Sequence, residues 1–442
     1  MALPGVNTIY KDRFYVVSRN EIPRGPKVLI LGRRTTANGT LDSQGRAIFN
    51  LDGYDVFSEQ EAGVIFGPES DVVRGYIEAV AGGASRVTVV ALPSDTIFNH
   101  TLGTISSDEY DGEGGLDLWA DAWAAVESAE PDLVVPWGRG SHPEDWDDYA
   151  DDATPGFPAT PNDPGNGDTP QAQFGFYANN STVVTNSWAF KVATEIYNIT
   201  TNSYPCHAVM GIKPFVGQTD ITGAITPASV ASHIGGAIAN LPDRDALAFG
   251  TIGSYVSVIG TEIKPLGYND TYSWGWSNGA AHYAGAVTQL DPWSAPTMKR
   301  AFNVGVLRYL PTKMQQLNLI ENGIVPVALN FQREAIWVDA LTFSNTASQY
   351  TRLTTVRIIN DAVQLVRNIA QQYIGEAATM EMRNAFDTSI TAGLMGMQKI
   401  GAILASDFTI TYYPQSNKAV VDLALTPAFE LRNIEVQVSI NL

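Results

Sequence analysis

The sequence predicts a mixed α/β protein, and three observations carry that prediction. Apolar runs of strand length, such as VLIL at 28–31, recur along the chain with helical patterns between them. The first long elements read strand, helix, strand, the order of a parallel pair joined by a crossover. The 442 residues are 45% hydrophobic and 17% charged, the balance of a folded chain with room for about two to four domains.

An extended opening, VNTIYKDRFYVV, passes through the Pro/Gly turn NEIPRGPK into the apolar strand KVLILGRR, and a loop is expected over 35–53. EQEAGVIFG and DVVRGYIEAVAGG read as helices, the second stopped by Gly82 and Gly83. RVTVVAL is the next buried strand. Further on, LDLWADAWAAVESAE reads as an amphipathic helix and PDLVVPWG as a strand. A long acidic, Pro/Gly-rich loop follows, then helix SWAFKVATEIYNITTNS and strand HAVMGIKPF. TPASVASHIGGAIANL and DALAFGTIGSYVSVIG repeat the helix–strand order, so the middle reads as a second, inserted α/β unit. YTRLTTVRIINDAVQLVRNIAQQYIG is a long helix with an apolar stripe at Leu353, Val356, Ile359, Val363, Val366 and Ala370. Another helix, EMRNAFDTSITAGLMGMQKIGAI, precedes strands DFTITYYP and KAVVDLALTP. In the closing LRNIEVQVSINL, Ile434, Val436, Val438, Ile440 and Leu442 alternate with polar residues, the period of a strand with one buried face. The alternation does not say whether that strand pairs within its own sheet or with another chain.

The net charge of −19 is unevenly spread. Residues 61–296 hold 7 Lys and Arg against 29 Asp and Glu, whereas 1–60 hold 8 against 6 and 297–400 hold 10 against 7. The acidic middle disfavours a nucleic-acid partner, whose phosphates it would repel. No apolar run approaches the length of a membrane span. The start MALPGVNTIY lacks a basic and then apolar leader, which points to a protein made in a cytoplasm.

Chemistry-bearing patterns are sparse, and no cofactor or metal is expected. GxxxxGK[ST], an early GxGxxG and HExxH are missing, and the five histidines are isolated. Cys206 is the single cysteine and reads as a buried, inert thiol. SDEYDGEGGLDL fails the EF-hand pattern, with Ser107 and Leu118 at the first and last positions. The loop EDWDDYADD is either a solvated acidic surface or a calcium site, and with Trp137 and Trp146 it leaves open a carbohydrate-active enzyme. TYSWGWSNGAAHYAG reads as a functional or interface loop.

Several stretches, in order, resemble contractile tail sheath proteins, the subunits that jacket the tube of contractile-tailed phages and related injection machines. They are LPGVNTIY, GPKVLILG, EAGVIFG, YIEAVAGGASRVTVVAL, SNGAAHYAGAVTQLDPWSAP, QQLNLIENGIVPV and the closing ELRNIEVQVSINL. The likeness covers roughly 1–95 and 275–442, and the middle only in element order. WSNGAA stands where the family often has a PPSG-like stretch, and the acidic and Trp/Gly loops have no counterpart.

The resemblance implies a non-enzymatic virion protein, assembled in the host cytoplasm as hexameric discs stacked around a tail tube. Its partners would be further copies of itself, the tube protein, and baseplate and terminator proteins, with no nucleic acid and no membrane contact. It implies a discontinuous inner domain (21–95 and 275–430) with an outer domain inserted at 96–274. The arms, 1–20 and 431–442, would add strands to neighbouring subunits through Val6, Ile9, Phe14 and Val16 at one end and Ile434, Val436, Val438, Ile440 and Leu442 at the other. Arg352, Arg357 and Arg367, on one side of the long helix, are candidates for facing an acidic tube, or for pairing within or between sheath subunits. Another virion or surface-array protein that exchanges terminal strands remains a second reading.

Overall fold

The computed structural model describes residues 26–68, 70–99, 104–107, 110, 117–136, 188–212, 227–239, 241, 243–245, 252–266, 277–430 and 432. They fall into two units, the described parts of Gly25–Gln289 with Met298–Leu353, and those of Leu290–Thr297 with Thr354–Leu442.

The larger unit is built on one sheet. Its elements begin with β1 (Val28–Arg33), the small hairpin β2 (Thr40–Leu41) and β3 (Ala47–Ile48), and β4 (Gly53–Val56). Helices α1 (Glu59–Phe66) and α2 (Asp71–Gly82) lead into β5 (Val87–Leu92). The hairpin β6 (Ile97–Asn99) and β7 (Thr104–Ser106), helix α3 (Leu118–Ala129), β8 (Leu133–Pro136), α4 (Trp188–Asn202), β9 (His207–Gly211) and α5 (Pro227–Ala239) follow. Next come β10 (Val256–Ile259), β11 (Ile263–Pro265), α6 (Ala280–Thr288), β12 (Val304–Leu307), α7 (Lys313–Glu321), β13 (Ile324–Val325), β14 (Val327–Leu329) and β15 (Ala335–Trp337).

Seven of these strands form a sheet in the order β13-β10-β9-β8-β1-β5-β4, parallel except for β4 against β5. The expected parallel pair is β1 with β5, in register Val28 with Val87. The inner strands are buried almost throughout, as parallel strands covered on both faces must be. Their core runs from Leu29 and Val90 through Val134 and Ala208 to Val258 and Ile324.

The boundaries expected after 95 and before 275 fall inside this sheet. β8, β9 and β10, from the acidic middle, pair with β1 and β13 from the flanking stretches. The physical reason is that β1 is apolar on both faces and lies between two strands, so β8 continues the ladder that β5 begins.

Helix ends follow local chemistry. The Ser70 hydroxyl accepts from Val73 N–H at 3.3 Å to start α2, and Gly83 ends it with φ of 114°. The crossing of α2 with α6 is close enough to require glycine, since a Cβ on Gly285 would lie 2.1 Å from the Ala79 carbonyl oxygen.

The smaller unit holds α8 (Leu353–Gln371), which begins at the last residue of the larger unit, then α9 (Met380–Lys399) and the strands β16 (Ile403–Tyr413) and β17 (Lys418–Pro427). Its core is formed by Ile358, Ala362 and Leu365 of α8 against Phe386, Ile390, Leu394 and Met397 of α9, closed by Ala402 and Ile403. The buried stripe of α8 is therefore wider than the spacing predicted. Ile358, Ala362 and Leu365 are buried while Ile359, Val363, Val366 and Ala370 are half-buried, and no residue from 353 to 370 is exposed.

Candidate functional site

The site that the fold sets apart is the β16–β17 hairpin. Its strands have 11 and 10 residues and pair antiparallel from Ile403 with Pro427 to Tyr413 with Lys418, with a bulge at Leu404. The sequence builds it by strict alternation. Phe408 and Ile410 lie opposite Leu423 and Val421 and pack, half-buried, on the helical core. Asp407, Thr409 and Thr411, opposite Ala424, Asp422 and Val420, form the other face. The Arg383 guanidinium stacks 4.4 Å from the Tyr412 ring centroid and ties α9 to β16.

This sheet has only two strands among the described residues, and both outer edges run unpaired for roughly 35 Å. One edge is partly guarded: the Phe408 N–H donates to the Asp407 carboxylate at 2.9 Å, and the bulge interrupts the ladder at Leu404. Long open edges are either protected or used for pairing with another chain.

The expected arm residues Val6, Ile9, Phe14, Val16, Ile434, Val436, Val438, Ile440 and Leu442 lie outside the described residues, as do the acidic loop and the Trp/Gly loop. The three arginines are described, and the structure does not bring them together. Arg352 belongs to the larger unit and forms a 2.6 Å ion pair with buried Asp339. Arg357 donates to the carbonyls of Leu290 and Asp291 at 2.7 and 3.1 Å. Arg367 is half-buried, and that burial lowers its pKa from the ordinary arginine value.

The isolated polar residues have structural roles. His207 Nε2 lies 2.9 Å from the Ser257 hydroxyl, which donates to the Leu341 carbonyl at 2.7 Å. His282 is fully buried with Nε2 2.7 Å from the Phe302 carbonyl, and burial pulls its pKa down to about 4. Cys206 is buried, its sulfur 3.7 Å from the Thr200 hydroxyl. Among the described residues no group of three His, Cys, Asp or Glu side chains could hold a metal, and no helix is long and apolar enough to cross a membrane.

No family model and no curated protein matches the chain. Solved structures do. A chain of the six-fold symmetrised anti-feeding prophage baseplate aligns with a TM-score of 0.59 at 12% identity, over 100% of both chains. A chain of the contracted helical sheath of the anti-feeding prophage gives 0.58 at 12% identity, over 99% of both. The sheath tail protein of Listeria innocua gives 0.54 at 9% identity, over 93% of both. The chain shares the sheath-protein fold. That likeness extends across the acidic middle, where the sequence showed only a matching order of elements.

The edges that stay unpaired among the described residues could not be read from DFTITYYP and KAVVDLALTP alone. Alternation marks the strands, but an edge is a property of what fails to pair.

Proposed function

We propose that this chain is the structural subunit of a contractile tail sheath, polymerising as hexameric discs around a tail tube and driving the tube through a host envelope when it contracts. The observation that carries this reading is the two-stranded hairpin, unpaired at its outer edges among the described residues, in a chain whose last ten residues alternate like a strand. A strand from a neighbouring copy would satisfy an edge, and its apolar side chains would complete the half-buried face made by Phe408, Ile410, Val421 and Leu423. Such a main-chain link tolerates rotation between subunits, so contraction needs no nucleotide, only a gain of interface in the contracted array. The sheath-protein fold, shared over nearly the whole chain, supports the same reading.

In this proposal the role is non-enzymatic. The partners are the tube, baseplate and terminator proteins, the site is the virion tail, and the acidic middle faces away from the polymer. Contact with the tube by Arg352, Arg357 and Arg367 would compete with the partners that Arg352 and Arg357 hold within the chain.

Removal of 433–442 tests the strand exchange. The truncated subunit is expected to melt almost as the full chain does but to form no tubes by electron microscopy. A fall in stability of several kcal/mol, the signature of losing five buried aliphatic side chains at ~1.5–3 kcal/mol each, would place the strand in its own subunit instead.

A further inference from the structure

The chain leaves the β16–β17 hairpin through a short stretch fastened by polar bonds. β17 ends at Pro427, and the next N–H, that of Ala428, donates to the Ala402 carbonyl at 3.0 Å. Phe429 is 81% exposed and adds no buried anchor. Glu430 is half-buried, and its carboxylate accepts from two threonines. The Thr354 hydroxyl donates to Oε1 and the Thr297 hydroxyl to Oε2. The second bond, at 3.4 Å, is long for a hydroxyl donor, so Thr354 is the stronger partner.

Both threonines are themselves held in place. Thr354 is 1% exposed in the first turn of α8, where a carboxylate also meets the positive end of the helix dipole. Thr297 is the last residue of the segment Leu290–Thr297, and Thr354 is the first of Thr354–Leu442. The pair thus marks two places where the chain passes from one unit to the other. The short segment is gripped at its start, where Arg357 of α8 takes the first two carbonyls, and its half-buried Trp293 packs on the helical core.

The hairpin ladder is weakest at this end. Pro427 lies opposite Ile403, beside the bulge at Leu404 that interrupts the pairing. A pull on the residues that follow β17 would open the ladder from there, one bond after another, as strand ends fray. The bonds of Ala428 and Glu430 stand between that end and any such pull.

We propose that Glu430 is the positioning residue for the terminal strand. Its carboxylate fixes the point from which 433–442 depart and keeps tension on them from peeling β17 off β16. This rests on the strand exchange proposed above and adds the group that holds the strand's origin. With Glu430 held, three residue steps, about 10 Å, separate the anchor from Asn433. With it released, the anchor retreats to Ala428 and the tether grows to five steps, about 17 Å. The effective concentration of the strand at a neighbour's edge then falls about twofold.

Hydrogen–deuterium exchange of the full chain below its assembly concentration reads the clasp directly. In Glu430→Ala and in Thr354→Val, exchange over 424–430 should accelerate about tenfold, while 408–413 on the same hairpin exchanges as before. Glu430→Gln keeps an oxygen for the Thr354 hydroxyl and should stay within about twofold of the unaltered chain. Unchanged exchange in Glu430→Ala overturns the clasp, and so does equal acceleration throughout the hairpin. Acceleration in Glu430→Gln as large as in Glu430→Ala overturns the Thr354 bond as its basis. By sedimentation, the concentration for half-assembly should rise about twofold in Glu430→Ala with little change in melting, and stay level in Glu430→Gln. Unchanged assembly of Glu430→Ala overturns the positioning role. An unaltered chain that forms no tubes overturns the sheath reading and the strand's role with it, while the exchange result still decides the clasp.

Discussion

The seven-stranded sheet and the β16–β17 hairpin use strands of similar apolar content to opposite ends. In the sheet, β1, β5, β8, β9 and β10 have neighbours on both sides and side chains buried on both faces, so their backbone and apolar groups are satisfied within one chain. The hairpin buries one face only in part and pairs one edge of each strand. A two-stranded ribbon is marginal by itself and depends on what it packs against. The inner strands of the larger unit are thus satisfied on both sides, while the hairpin leaves its outer edges unpaired among the described residues.

The contrast is broken most forcefully at Arg352. Arg352→Glu would set a carboxylate beside Asp339, which is 1% exposed, and should cost about 3–5 kcal/mol in denaturant unfolding. An effect under about 1 kcal/mol would mean the ion pair is not part of the finished core. For the same reason Arg352→Glu cannot separate a tube contact from a loss of the fold.

A second break comes from acid. His282 is buried and neutral, with its pKa lowered from 6.5 to about 4. The unfolded state therefore binds a proton between pH 6.5 and 4 that the folded state refuses. The stability from this residue is fully present above pH 6.5, falls as pH drops, and is lost below about 4. The depression corresponds to about 3 kcal/mol. Melts across that range should show the decline in the unaltered chain and a shallower slope in His282→Asn.

The smallest effect sharpens the comparison. Ile410→Ala, half-buried on the hairpin, should cost the monomer about 1 kcal/mol or less, below the ~2–5 kcal/mol of a fully buried site such as Ile30→Ala. Under the proposed strand exchange its effect on assembly should exceed its effect on melting, because a guest strand would bury what the single chain leaves half open.

Much of this architecture was legible in the sequence. VLIL and RVTVVAL announce buried parallel strands, and FTITYY and AVVDLAL announce the half-wet hairpin. Helix α6 was harder to see because AAHYAGAVT is rich in small residues, and its glycine serves the close approach to Ala79. Strand β4 is only four residues long and follows a run of turn-forming residues that reads as loop. The joining of β8 to β1 rests on pairing between residues about a hundred positions apart, which no local pattern records. Exposed aromatics were hidden for a similar reason: Phe57 and Phe331 look like core residues until their neighbours in space are known.

The bulge at Leu404 also gives the hairpin a ruler. It interrupts the ladder near the base, so the uninterrupted pairing surface of β16 extends from 405 to 413, about 30 Å of extended chain. The ten residues 433–442, taken as one extended strand, would reach about 34 Å. A guest strand of that length would overrun the stretch by about one residue, and a slip of one residue would turn its apolar side chains to the wet face. Phase would then exclude every odd slip, and a lattice copied from such alignments keeps its apolar faces in step.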